Sequence, residues 1–369
     1  MRSRVKLVAL AAALVMALCM AVPAMAAWQE NKPEFVWKVQ SGWPRSSGLH
    51  YLQMRTLDFI EAWTKGRIKF ERYSDGEIVP GYEIWKAVEK GILPAGVACT
   101  CYAMSRTWTS GMYCSAPGMG PVEKMGFYHG TPDVLKTKDY RTEVWKQLEG
   151  LVAKHFGGLV VMPSAMQSTE TFLYSIKPIN TIEDMQKLKV RSVGVRGDVF
   201  KAAGVSVVGM PAGEVVAAMD RGVIDACEFA NFFGDIPLGF AAAAKYIYFN
   251  PYSSSPSNLM FFVNAKEWAK LPPDLQKQVQ EACFESMKWS LSECLFADFL
   301  TMKRAETEFK AQIALIPMDV GKYIHETAGK FYQEKAGKDE ELKAYMAEHD
   351  KFFAPDNYGK YVKFIKSLI

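Results

Sequence analysis

What the chain has little of narrows the field first. Its five histidines (His50, His129, His155, His325 and His349) are scattered, and none falls in an H-E-x-x-H or other metal-ligand spacing. No G-x-S-x-G elbow, P-loop or G-x-G-x-x-G occurs, and Gly118-Met119-Gly120 lacks the third glycine. There is no C-x-x-C pair, no low-complexity linker and no short internal repeat. Past residue 26 no long uncharged apolar run appears, which removes any further membrane-span candidate. Basic residues barely outnumber acidic ones, 44 to 40, so binding to nucleic acid has no electrostatic footing. With the recognisable enzyme signatures missing, the expectation is a binding protein and not an enzyme.

What is present begins with an export signal. Arg2, Arg4 and Lys6 precede an apolar run from Leu7 to Val22, and Ala24-Met25-Ala26 follows as an A-x-A cleavage pattern. Leu18 before Cys19 is bulky where a lipid-attachment site wants a small residue, so a soluble exported protein cleaved after Ala26 is expected, in the periplasm. Cleavage leaves 343 of the 369 residues and removes three basic and no acidic side chains, for a net charge near +1. That length suits two domains of ordinary size. An apolar content of 49% with 13% aromatics argues against disorder. The six mature cysteines, Cys99, Cys101, Cys114, Cys227, Cys283 and Cys294, read as buried free thiols, with Cys99, Cys101 and Cys114 the most plausible exceptions.

Apolar periodicity supplies the architecture. Residues 35–40, FVWKVQ, alternate like a half-buried strand; Leu49 to Trp63 has helical spacing, Gly66 stops it, and RIKFERY follows as a strand. A second strand–helix–strand unit runs from VSVVGM through a helix at 214–221 into VIDACEF. From Leu275 to Phe309 apolar residues recur every three or four positions, which predicts one helix of ~35 residues and ~50 Å. Such a helix can span two lobes or pack against a second subunit; the plainer alternative is a helix broken within the run. The tail, 321–369, reads as a charged, solvated helical layer.

One residue sits badly in this pattern. Glu228 lies between Cys227 and Phe229 at the end of an otherwise apolar strand, and a buried carboxylate is costly unless paired or hydrogen-bonded. Arg191 in LKVRSVG ends another strand and can take a carboxylate bidentately; Gln167, just after the strand GGLVVM, offers both donor and acceptor. Together they suggest a small-anion site at the strand ends where open α/β sheets bind ligands. The plainer alternatives are a solvated arginine, a loop glutamine and a Glu228–Arg191 salt bridge.

The order of WKVQSGWPRSSG, GEIVPGYEIWKAVEKG, KLKVRSVG, MPAGEVVAAMDRGVIDACEF and LPPDLQKQVQEA resembles the solute-binding components of tripartite ATP-independent periplasmic (TRAP) transporters, nearest the branch that binds 2-oxo acids. The resemblance implies an α/β, two-lobed periplasmic binding protein fold, with a ligand cleft between lobes and a long helix spanning both. The implied division is lobe I over 27–150 with 229–265 returning to it, lobe II over 151–228, the lobe-crossing helix within 266–320, and a helical extension over 321–369. Arg191 then pairs with the substrate carboxylate. Gln167, Glu228 and the carbonyl of Phe229 stand where that branch holds a metal ion, usually sodium, which bridges to the substrate; no cofactor is otherwise required. The chain departs from the branch at Phe229, usually Trp, at Ser254 or Ser255 in place of a glutamate, and at Thr169-Glu170-Thr171-Phe172 in place of Gly-Gly-Trp-Phe. Tyr102, Trp108, Phe229, Phe232, Phe233 and Tyr252, with Ser254, are expected to line the ligand, so a pyruvate-like or an aromatic 2-oxo acid such as indolepyruvate or phenylpyruvate is implied. The partners implied are the small and large TRAP membrane subunits, no nucleic acid, and a homodimer as an option. The alternatives are a ligand-sensing binding protein that reports to a receptor, or a binder of another aromatic or C4 carboxylate.

Overall fold

The computed structural model describes residues 31–115, 118–129, 142–252 and 256–354; the leader 1–26, Ser254, Ser255 and the last residues of the tail lie outside the described residues. Five strands, β1 (Phe35–Ser41), β2 (Ile68–Tyr73), β3 (Ala95–Cys99), β4 (Leu159–Met166) and β10 (Asn258–Asn264), form one sheet in the order β2-β1-β3-β10-β4. Six more, β5 (Leu173–Ser175), β6 (Lys189–Arg191), β7 (Ser206–Val208), β8 (Ala226–Cys227), β9 (Tyr246–Phe249) and β11 (Gln312–Leu315), form a second in the order β11-β9-β5-β8-β6-β7. The longer helices are α1 (Gly48–Trp63), α2 (Pro121–His129), α3 (Glu143–Phe156), α4 (Gly194–Ala202), α5 (Ala212–Asp220), α6 (Pro273–Thr307), α7 (Met318–Ala336) and α8 (Glu340–Phe353). None of the described helices is long and apolar enough to cross a membrane.

Both predicted strand–helix–strand units form. β1 and β2 pair in parallel around α1, which Ser47 caps by accepting from the Leu49 N–H. β7 and β8 both lie parallel to β6, one on each side, with α5 between them in sequence. β10 joins β4 to the rest of the first sheet. All seven of its residues are buried, as a strand covered on both faces requires, and it runs antiparallel to both neighbours. Gly96 on β3 makes room for it: a Cβ there would come within 2.8 Å of the Phe262 ring, which itself stacks on Trp85 at 4.0 Å.

The sheets divide the chain at other points than the expected boundaries. β4, expected in lobe II, pairs with β10 in the first sheet, and β9, expected to return to lobe I, pairs with β5 and β11 in the second. An apolar run shows that a strand is buried but not which sheet buries it. The chain therefore crosses between lobes after Met166, again between Phe249 and Asn258, and a third time along α6. α6 covers 35 residues, as its periodicity predicts. It packs Leu275, Val279 and Ala282 into the first lobe's core and Ala305 into the second's, so it spans both.

The C-terminal helices are more than a solvated layer. Tyr332, Leu342, Tyr345 and Phe352 are buried; α8 docks on the first lobe, with Tyr345 against Tyr113 and Glu341 binding Lys154 and His155, while α7 packs on α4 of the second. Charged residues on the outer faces of these helices hide that inner stripe in a composition count.

Candidate ligand site

Parallel pairing of β6 with β8 sets Arg191 opposite Cys227, so Glu228 emerges one residue further along. Arg191 is 1% exposed and does not salt-bridge the Glu228 carboxylate among the described contacts. Its guanidinium donates instead to the backbone: Nη1 to the Glu228 carbonyl at 2.7 Å, and Nε and Nη2 to the Met210 carbonyl at 3.1 and 3.0 Å. Three of its five N–H groups are thus spent on orientation, leaving one on each terminal nitrogen beyond the backbone's reach. Phe229 lies beneath, its ring 5.0 Å from the guanidinium carbon. Across the cleft the first lobe contributes Tyr102, packed 4.5 Å from Tyr82 and 5.6 Å from Trp43. The charge of Arg191 is felt by both tyrosine hydroxyls, and that of Tyr82 lies within hydrogen-bonding range of it.

Glu228 finds its partners elsewhere. Ser192 donates its hydroxyl to Oε2 at 2.7 Å, and Arg196 Nη1 stands 3.7 Å from Oε1. Arg196, in the first turn of α4, is held more closely by Glu170, with Nη2 2.7 Å from Oε2. Glu170 is 5% exposed, and its other oxygen accepts from Gln167 Nε2 at 2.6 Å and from the Ser257 hydroxyl. Burial pushes the Glu170 carboxyl up to about 7, against the pull of Arg196. Lys124, fully buried, donates to the carbonyls of Cys114 and Pro256, and its ammonium is held down to about 8 by burial. Gln167 and Glu170 come from the first crossover and Ser257 from the second, so the cluster sits where the chain passes between lobes.

The aromatic set divides. Tyr102 and Phe229 face the cleft. Phe232, at 2% exposure, is instead core of the second lobe beside Tyr174 and Phe249. Tyr252 stacks toward His325 of α7 at 6.0 Å, and Trp108 is tied to Asp198 and Phe331, away from Arg191. Phe233 packs edge-on to Tyr51. Ser254 lies outside the described residues. Among the three candidate cysteines, Cys99 and Cys101 form a disulfide, and Cys114 remains a buried thiol with Cys227, Cys283 and Cys294. The residues that sequence reasoning missed are Arg196, Glu170, Lys124, Ser192, Ser257 and Tyr82. Glu170 carried a signal, a charge within the otherwise uncharged run at 163–176.

Gln167, Glu228 and the Phe229 carbonyl are the groups a cation would use. Gln167 Oε1 suits one: it is buried and accepts no hydrogen bond. Glu228 does not, because one oxygen serves Ser192 and the other faces the Arg196 guanidinium. A second positive charge about 4 Å from that guanidinium would be repelled by roughly 4 kcal/mol at the effective dielectric of such sites. Among the described residues, Glu170 and Glu228 also belong to no cluster of three or more acidic, histidine or cysteine side chains close enough to share an ion. As arranged, the donor set does not fit a metal.

A two-lobed α/β protein with a charged cleft at the strand ends and a lobe-spanning helix is a solute-binding scaffold. Residues 55–295 match the DctP family, bacterial extracellular solute-binding protein, family 7, and the chain belongs to that family, whose members are the solute-binding components of TRAP transporters and not enzymes. It is 26% identical over 260 residues to a monocarboxylate 2-oxoacid-binding periplasmic protein of Nostoc sp. PCC 7120, covering 70% of this chain and 68% of that one. The fold is shared with a TRAP solute-binding protein of Bordetella bronchiseptica RB50, a mixed-occupancy dimer with copurified calcium and picolinate (TM-score 0.81, 21% identity, 91% of this chain and 96% of that one). It is shared also with one of Pseudoalteromonas atlantica T6c with bound sodium and pyruvate (TM-score 0.76, 21% identity, 86% and 93%).

Proposed function

We propose that this protein, exported and cleaved after Ala26, captures a small monocarboxylic 2-oxo acid in the periplasm and delivers it to the small and large membrane subunits of a TRAP transporter. The observation that carries the reading is Arg191: a buried guanidinium, fixed by two backbone carbonyls, that keeps one N–H on each terminal nitrogen uncommitted to the backbone at the cleft between lobes. Two parallel N–H groups are the geometry a carboxylate accepts bidentately. The 2-oxoacid-binding relative and the pyruvate-bound neighbour support the substrate class. The ligand's side chain would lie against the rings of Tyr82, Tyr102 and Phe229, a surface whose chemistry suits an aryl group as well as a methyl. Tyr82 and Tyr102 of the first lobe stand against Arg191 and Phe229 of the second, and such contacts across the cleft, made only when the lobes are closed, set the affinity. A bound cation is no requirement of this reading.

A second copy of the chain is the proposed occupant of the outer face of α6, where Leu295, Phe296, Phe299 and Leu300 are 47–65% exposed side by side; the dimer of the Bordetella relative supports it.

A thermal-shift screen against pyruvate, branched 2-oxo acids, aryl pyruvates and C4 dicarboxylates tests the function. A ligand at about 100 times its dissociation constant adds about 2.7 kcal/mol of stability. Arg191→Ala is expected to abolish every shift the native protein shows; retention of near-native affinity by that variant would sink the proposal.

A further inference from the structure

We propose that Arg196 supplies from within the protein the positive charge that a bound metal ion would bring to the site, so that this protein binds its ligand without a cation such as the sodium bound with pyruvate in the Pseudoalteromonas neighbour. The inference rests on the carboxylate-binding reading above and concerns the same site.

The guanidinium of Arg196 lies between two buried carboxylates, 2.7 Å from Glu170 and 3.7 Å from Glu228, and also donates to the Thr171 carbonyl at 3.3 Å. Its side chain is 13% exposed and the two carboxylate side chains 3% and 7%, so these are interior charges and not a screened surface pair. Glu228, the acid a bridging ion would need, already faces a cation. Its remaining oxygen is satisfied by Ser192. Glu170 is locked in turn by Gln167 and Ser257, which fixes Arg196 before any ligand arrives.

The formal charges agree. Arg191, Arg196 and Lys124 face the carboxylates of Glu170 and Glu228, so the positive groups already outnumber the negative ones before any metal ion is added and can receive a monocarboxylate. Gln167 Oε1 is left as an acceptor that a ligand N–H or O–H, or a water, completes.

The test uses the mature protein stripped with chelator, with pyruvate and phenylpyruvate as probes in buffers where choline, sodium or calcium is the cation. Calorimetry reads the dissociation constant and elemental analysis reads the metal retained. The expected result is a constant that changes less than about twofold across the three buffers, with metal far below one ion per chain. Arg196→Gln should weaken binding about tenfold or more in choline and recover in calcium, while Arg196→Lys, which keeps the charge, should remain cation-independent. One ion held per chain, or a native affinity that falls about tenfold when cation is withdrawn, overturns the inference even if both acids bind. Binding of neither probe in any buffer overturns the carboxylate reading instead, and the retained metal then decides this inference alone.

Discussion

Asp298→Ala should cost about 3 kcal/mol, although Asp298 touches none of the groups proposed to hold the ligand. It projects from the lobe-spanning helix α6 and pins both site loops. Oδ1 accepts the Phe233 N–H at 2.7 Å, while Oδ2 accepts Asn231 Nδ2 at 3.2 Å and the Ser168 hydroxyl. Ser168 follows Gln167, and Asn231 and Phe233 follow Phe229, so one carboxylate ties the two segments to a single helix. Removing it takes away three hydrogen bonds, each worth about 1 kcal/mol net, and leaves Asn231 Nδ2 only its bond to the Ser168 hydroxyl. In a chain of this size that lowers the melting temperature by about 5 °C. Burial pushes the Asp298 carboxyl up to about 6, opposed by its hydrogen bonds, from an unfolded value of 3.8. Between those values the folded state binds more protons than the unfolded one, so the contribution is full below the lower value and is lost as pH rises through the upper. The gap between the native protein and the Asp298→Ala variant should therefore be wider in melts at acid pH than at neutral pH. An unchanged melting temperature, or a gap that widens as pH rises, would refute the reasoning.

Two further outcomes are expected. Replacing Phe296 and Phe299 together with aspartate should convert a dimer into a monomer in sedimentation or light scattering without lowering the melting temperature; a native protein that is monomeric at micromolar concentration would remove the α6 face as an interface. Peptide mapping without reductant should find Cys99 linked to Cys101, with Cys114, Cys227, Cys283 and Cys294 alkylated only after unfolding. A bridge to Cys114 would contradict the structure.

Much of the frame was legible from residue order. The α6 pattern gave its length and both ends nearly to the residue, because its apolar positions recur at helical spacing across the whole run. The units around α1 and α5 were legible for the same reason, and Arg191 and Glu228 because a charge at the end of an apolar strand demands an account. Arg196 gave no such signal, since a charged residue in the first turn of a helix ordinarily faces water. Asp298 was hidden likewise, occupying a polar position on an amphipathic helix. Phe232 was expected in the cleft and is core, while Phe229, slightly earlier in the same segment, packs on the edge of that core and carries the Arg191 guanidinium over its ring.

The sequence by itself determined the elements and their periodicity, and the two charges at the strand ends, all of which depend on neighbours within a few turns. Only the tertiary structure decided which sheet takes β4 and β9, that Glu228 answers to Ser192 and Arg196 and not to Arg191, and that a buried ion pair stands beside the ligand's expected place. Those outcomes depend on residues as distant in the chain as Glu170 and Ser257 meeting where it crosses between lobes. Such meetings are fixed by packing and by the pairing of buried charge, which no local pattern records.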